Sequence, residues 1–360
     1  MSTTTLVIVA MPALVLARVN GANDVSKGVA TLIGSGLASA RRAILWGTLW
    51  TVLGGLAALA WGSALIGTFA NGFLTPQFQM SLGFSASAAT GALAWLLFAT
   101  LMGWPVSTTH ALLGGIVGAT LAVAGPEGLR MSVVTHKALL PLLLSPLLAI
   151  ALCWLMLLGT RWVSRRIPAW QPGCCPQAQW RNDPFACAID AHPTPPLKRK
   201  LLTILHWVSG GATRFARGLN DVPKIAALLI IAVSATLNTD STNTAMAAIV
   251  AVTLIMGLGS VWGGMRVARV RAQRVTFMDT QRGLVANVGT SMLVLAASPS
   301  GLPVSTTHLS TGALMGIRWA ERLTPQQGGA LRPILFAWCI TLPAAAGFAA
   351  VAATSIRNLT

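Results

Sequence analysis

The residues best suited to chemistry sit in two short polar motifs, and each motif is written twice. Asn23, Asp24, Val25 and Lys27 recur as Asn220, Asp221, Val222 and Lys224, and the hexapeptide PVSTTH stands at 105–110 and again at 303–308. Asp24 and Asp221 are the only carboxylates placed inside apolar segments. An ionisable group at membrane depth costs about 2.5–3.5 kcal/mol or more and faces a partner or a polar cavity. One Asp–Lys pair three positions apart is compatible with a structural ion pair, but two related copies favour a binding site. The hexapeptide has its own logic. Proline suits a helix start, and Ser107 or Thr108 can cap the first turn. A helix beginning inside the membrane offers unpaired N–H groups and the positive end of its dipole, an oxyanion site. A lone Ser-Thr-Thr would merely hydrogen-bond its own helix; the duplicated motif after a break reads as a site for one tetrahedral anion gripped by two tips.

The elements that must carry these motifs are membrane helices. Only 9% of the residues are charged, and neither Ala43–Pro126 nor Gly283–Ile317 contains Asp, Glu, Lys or Arg. A bilayer span needs such runs and a soluble core does not. The net charge of +17 is therefore read as topology, since Lys and Arg in short loops mark the cytoplasmic side, and nucleic acid is excluded as a partner. The expected protein is an all-α polytopic membrane protein, multi-pass in the lipid bilayer of a cell membrane, with the bacterial inner membrane expected. The amino-terminal stretch MSTTTLVIVAMPALVLAR lacks a basic start and reads as a retained first helix.

Asn23 lies 82 positions before Pro105, and Asn220 lies 83 before Pro303. Two motifs recurring in one order at nearly one separation make the chain a duplication: repeats at 1–160 and 201–360 around a linker at 161–200. Apolar runs predict elements at 3–38, 43–67, 84–103, 105–124 and 137–160, then at 203–237, 244–265, 283–301, 303–319 and 331–354. The first of each set is expected to be interrupted, near Gly21 and near Gly218, and interrupted or re-entrant helices bring the total to 10–12 transmembrane elements. An odd number of crossings per half inverts the second repeat. The loop charges agree: the linker, Arg41 and Arg42, and the five arginines of 266–282 fall on one side, assigned as cytoplasmic, while 68–83 and 238–243 hold no basic residue.

Other polar groups fit less demanding readings. Cys174, Cys175, Cys187 and His192 follow no zinc spacing, so no metal or cofactor is expected. His110 and His308 can relay protons or simply satisfy a neighbouring helix, and Arg18, Arg214 and Arg217 are expected to set the field of a vestibule. An intramembrane Ser-His-Asp hydrolase needs one asymmetric constellation, whereas both copies here are alike. A channel suits a symmetric midplane site less well than alternating access does.

GANDV with PVSTTH, and GLNDV with PVSTTH, together resemble the inorganic phosphate transporter (PiT) family of permeases. The resemblance covers both halves. It implies an inverted-repeat fold, often dimeric, that carries inorganic phosphate with a coupling cation. On that likeness Ser107, Thr108, Thr109, Ser305, Thr306 and Thr307 contact phosphate, while Asn23, Asp24, Asn220 and Asp221 shape the substrate and cation site. Two departures stand out. Many members have Asn where this chain has Lys27 and Lys224, and many carry a Glu in helices that here read LWGTLWTVLGG (45–55) and RGLVANVGT (282–290). Built-in cations and missing acids favour coupling to H+ over strict coupling to Na+, because a buried lysine can titrate near neutral pH. Sulfate or a metal–phosphate complex is the alternative cargo.

Overall fold

Helix formation follows the apolar runs. The computed structural model describes residues 3–78, 81–102, 104, 106–166, 196–237, 242–272, 280–321 and 331–357, and its ten long helices fall five before 167–195 and five after. They are α1 (Thr3–Gly34), α2 (Ala40–Trp61), α3 (Leu82–Leu101), α4 (Thr108–Ala124) and α5 (Leu140–Arg166), then α6 (Pro196–Leu237), α7 (Thr242–Ala272), α8 (Thr280–Ala297), α9 (Thr306–Ala320) and α10 (Leu331–Arg357). Polar residues set several starts: Ser39 caps α2 and Ser81 caps α3 through the amides of Arg42 and Phe84. Pro105, most of the expected linker, and Cys174, Cys175, Cys187 and His192 lie outside the described residues.

The exterior is greasy. Leu45, Leu49, Leu53, Leu56 and Leu59 are exposed along one stripe of α2, and Leu143, Leu147, Leu148 and Leu155 are exposed on α5. Exposed leucine stripes are costly in water and expected against lipid tails. The stretches Ala40–Trp61, Leu82–Leu101, Met131–Val163, Thr242–Gly264 and Leu335–Ile356 are long and apolar enough to cross a membrane.

The polar interior depends on close helix contacts, and these pair across the two halves. α1 packs on α7 and α6 on α2; α4 packs on α10 and α9 on α5. Glycine makes the approach possible. A Cβ at Gly114 or Gly118 would be driven into the carbonyl oxygens of Leu342 or Ala346, and one at Gly312 or Gly316 into those of Pro146 or Ile150. These are two small-xxx-small seams of the kind membrane helices use, repeated at matching places.

The same logic corrects the expected interruptions in α1 and α6. Both helices run unbroken through Gly21 and Gly218. A Cβ at Gly21 would strike the Met256 carbonyl, and one at Gly218 the Thr51 carbonyl. The glycines permit backbone contact with α7 and α2, and an uninterrupted helix keeps its own amides satisfied in a nonpolar medium. The breaks that do occur lie between α3 and α4 and between α8 and α9, at the two hexapeptides.

Candidate functional site

The two hexapeptides meet. Ser107 and Ser305 are extended, with φ −97°, ψ 120° and φ −98°, ψ 112°, and each side chain caps its helix, accepting from the amide of His110 or His308 at 3.2 Å. The contacts between the tips are reciprocal. Thr109 Oγ1 donates to the Val304 carbonyl at 3.1 Å, and Thr307 Oγ1 donates to the Val106 carbonyl at 3.2 Å. Ser107, Thr108, Thr109, Ser305 and Thr307 are buried, and Thr306 is partly buried. The helix starts therefore bring hydroxyls and first-turn amides together, where the dipoles place positive potential. Behind the tips the His110 and His308 rings lie 4.4 Å apart, and Trp338 covers His308 at 3.9 Å.

The two Asn-Asp motifs supply the wall beside this seam. On α6, Asn220 Nδ2 donates to Asp221 Oδ1 at 2.9 Å and to the Val304 carbonyl at 3.2 Å, while its Oδ1 accepts from Ser298 at 3.3 Å. Asn220 thus fastens the second tip to α6. Lys224 Nζ donates to Thr109 Oγ1 at 2.8 Å and to the Val304 carbonyl at 3.0 Å, and stands 3.8 Å from Asp221 Oδ1. The expected Asp221–Lys224 pair is accordingly a loose one, with the ammonium turned to the tips. On α1, Asn23 and Asp24 are buried; the side chain of Lys27 lies outside the described residues.

The arginines are misplaced by the vestibule expectation. Arg18 is exposed, but Arg214 and Arg217 are 1% and 0% exposed. Arg217 Nε lies 3.3 Å from Asp221 Oδ2 and 3.7 Å from Asp24 Oδ2, while Nη2 donates to the backbone and side-chain oxygens of Asn20 at 2.8 and 2.9 Å. Asn20, which the motif reading passed over, accepts from Thr108 Oγ1 at 3.2 Å and so joins the first tip to the acids. Arg214 Nη1 donates to the Asp24 and Val25 carbonyls at 2.6 and 2.8 Å. Both arginines look in the sequence like charges flanking a motif. Their signal is helical spacing: Arg217 precedes Asp221 by one turn, and Arg214 precedes Arg217 by three positions.

Electrostatics gives the cluster a direction. Among the described residues three buried cations, Arg214, Arg217 and Lys224, stand against two buried carboxylates, Asp24 and Asp221. Arg217 Nη1 has no hydrogen-bond partner among the described residues. Excess buried charge is expensive and a buried donor without an acceptor adds to the cost. Both debts favour an anion.

Ten long helices, several with exposed leucine stripes, around buried polar tips and charges are the architecture of a polytopic membrane protein. The model of the PHO4 phosphate transporter family matches residues 20–349, and the chain belongs to that family. Membership makes phosphate the transported class of substrate. A Rhizobium meliloti (strain 1021) protein named "Probable low-affinity inorganic phosphate transporter" is 26% identical over 332 residues, covering 91% of this chain and 89% of its own. A protein of the same name from Mycobacterium bovis (strain ATCC BAA-935 / AF2122/97) is 25% identical over 346 residues, with 94% and 75% covered. A solved structure titled "The sodium-dependent phosphate transporter" shares the fold at a TM-score of 0.84 and 22% identity, over 99% of this chain and 100% of that one.

Proposed function

We propose that the protein moves inorganic phosphate by alternating access, with the anion held between Ser107-Thr108-Thr109 and Ser305-Thr306-Thr307. The observation that carries this reading is the reciprocal pair of threonine bonds between the tips, set beside an excess of buried positive charge. A hydroxyl now spent on a carbonyl of the opposite tip can turn to a phosphate oxygen, so the anion replaces the cross-tip bonds with its own. Asn23 and Asn220 line the substrate site, Asn220 also fastening the second tip, and Asp24 and Asp221 accept from a protonated phosphate oxygen. Sulfate lacks that proton at working pH, which favours phosphate.

Coupling follows from the lysines. Lys224 already lies at the seam, and Lys27 is its counterpart in the first repeat. With an ammonium group built into the seam and able to titrate when buried, transport is coupled to H+ and does not need a Na+ gradient. The relative titled sodium-dependent would then differ from this chain in coupling while sharing its fold. The repeats, 1–160 and 201–360, are inverted with respect to one another, and the linker at 161–200 is cytoplasmic in a bacterial inner membrane; the exchange of basic residues between corresponding loops supports both assignments. A homodimer follows the family resemblance.

Labelled phosphate uptake into proteoliposomes, with Na+ and pH gradients imposed separately, tests the reading. Uptake should follow the pH gradient without Na+, and sulfate should compete at least about tenfold more weakly than phosphate, about 1.4 kcal/mol. Uptake that needs a Na+ gradient and survives collapse of the pH gradient overturns proton coupling. Equal competition by sulfate overturns the choice of phosphate.

A further inference from the structure

The repeats agree at Asn23/Asn220, Asp24/Asp221 and Lys27/Lys224, and they disagree three positions before each Asn. Aligned on Asn-Asp-Val, Asn20 of α1 faces Arg217 of α6. The disagreement falls at the centre of the site. Arg217 Nε is within 3.7 Å of Asp24 on one half and 3.3 Å of Asp221 on the other, with all three side chains at most 4% exposed. Its Nη2 is anchored on Asn20, the residue it replaces in the repeat pattern.

Two carboxylates drawn from opposite halves into one dry site require a cation between them. Were Asn present at both positions, the place between the two carboxylates would be open to a cation from solution. We infer that the Arg217 guanidinium is a tethered cation filling the position of a dissolved inorganic one, so that Asp24 and Asp221 bind no metal ion as a co-substrate. Lys224 does not perform this duty: it is 3.8 Å from the nearer Asp221 oxygen and spends its protons on Thr109 and the Val304 carbonyl. The labour is divided, with Lys224 facing the tips and Arg217 holding the acids together. Asn20 connects the two, accepting from Arg217 and from Thr108 of the first tip and placing its Nδ2 3.5 Å from Asp221 Oδ2. A tethered cation cannot dissociate during the cycle, so it fixes the charge of the acids without adding an ion to the cargo.

The test compares the wild type with Arg217→Asn, which restores Asn to both repeats, and Arg217→Lys, which keeps a charge there. Melting of purified protein is followed in NaCl, LiCl, KCl and choline chloride at constant ionic strength, without phosphate. The wild type and Arg217→Lys should melt alike in all four salts, whereas Arg217→Asn should be stabilised in a saturable way by one of the small cations. In proteoliposomes Arg217→Asn should lose uptake by about tenfold or more in choline and recover it when that cation is added. The inference is overturned by a saturable, cation-specific stabilisation of the wild type, a measurement that does not depend on the variant folding. It is equally overturned if Arg217→Asn is folded and monodisperse yet indifferent to all three metal ions. The uptake arm rests on the phosphate reading above; the melting arm does not, so the two can fail separately.

Discussion

The two copies of PVSTTH make matching contacts, whereas the residues one turn before the two copies of Asn-Asp-Val differ. Ser107 and Ser305 cap in the same way, and Thr109 and Thr307 reach across to matching carbonyls. Beside them, Asp221 is served by Arg217, Asn220 and the more distant Lys224, while Asn20 occupies the place in α1 that Arg217 holds in α6. The contrast separates two duties. On the proposed reading, an anion gripped from both sides needs equivalent tips, and the matching contacts of the two hexapeptides support it. On the inference above, the place between the two acids takes a single cation, which Arg217 supplies from one half.

The largest effect should expose that asymmetry. Asp221→Ala removes the nearer carboxylate from buried Arg217 and also the one beside Lys224, and should destabilise the protein by about 3–5 kcal/mol. Asp24→Ala removes the carboxylate farther from Arg217, and should cost measurably less. Thermal unfolding in detergent ranks them, and equal losses would deny the unequal roles. Next in size are the glycine seams. Gly118→Leu and Gly316→Leu should each cost about 3 kcal/mol by overpacking α4 on α10 and α9 on α5, and these costs should match because the contacts match. The smallest effect is at the caps. Ser107→Ala and Ser305→Ala should each cost about 1 kcal/mol and slow phosphate uptake to a similar degree. A variant pair in which Ser107→Ala abolishes activity and Ser305→Ala leaves it untouched would instead revive a single-nucleophile chemistry.

Much of this was legible before any coordinates. Polar letters in apolar text identify both motifs, and their repetition at one spacing gives the order of ten helices and the paired tips. What escaped depends on which helix packs on which. Gly21 and Gly218 read as breaks, because a glycine in a helical run looks the same whether it ends the helix or admits a neighbour's backbone. Gly114-x-x-x-Gly118 and Gly312-x-x-x-Gly316 carried a readable signal for helix contact that the stronger motif next to them overshadowed. Arg217 resembled a flanking charge because its two carboxylate partners include one on α1, nearly two hundred residues away in sequence. The facing of His110 and His308 is hidden for the same reason. Local pattern reveals what each helix carries; the partners of a buried charge are decided by contacts between the halves.

The central claim is that one tetrahedral anion sits between the two tips. The direct measurement is a structure with bound arsenate, located by its anomalous scattering. The account predicts one arsenic peak within hydrogen-bonding reach of both Ser107–Thr109 and Ser305–Thr307, with the Thr109–Val304 and Thr307–Val106 bonds broken. A peak held by one tip alone, or one bound elsewhere while both cross-tip bonds persist, would contradict it.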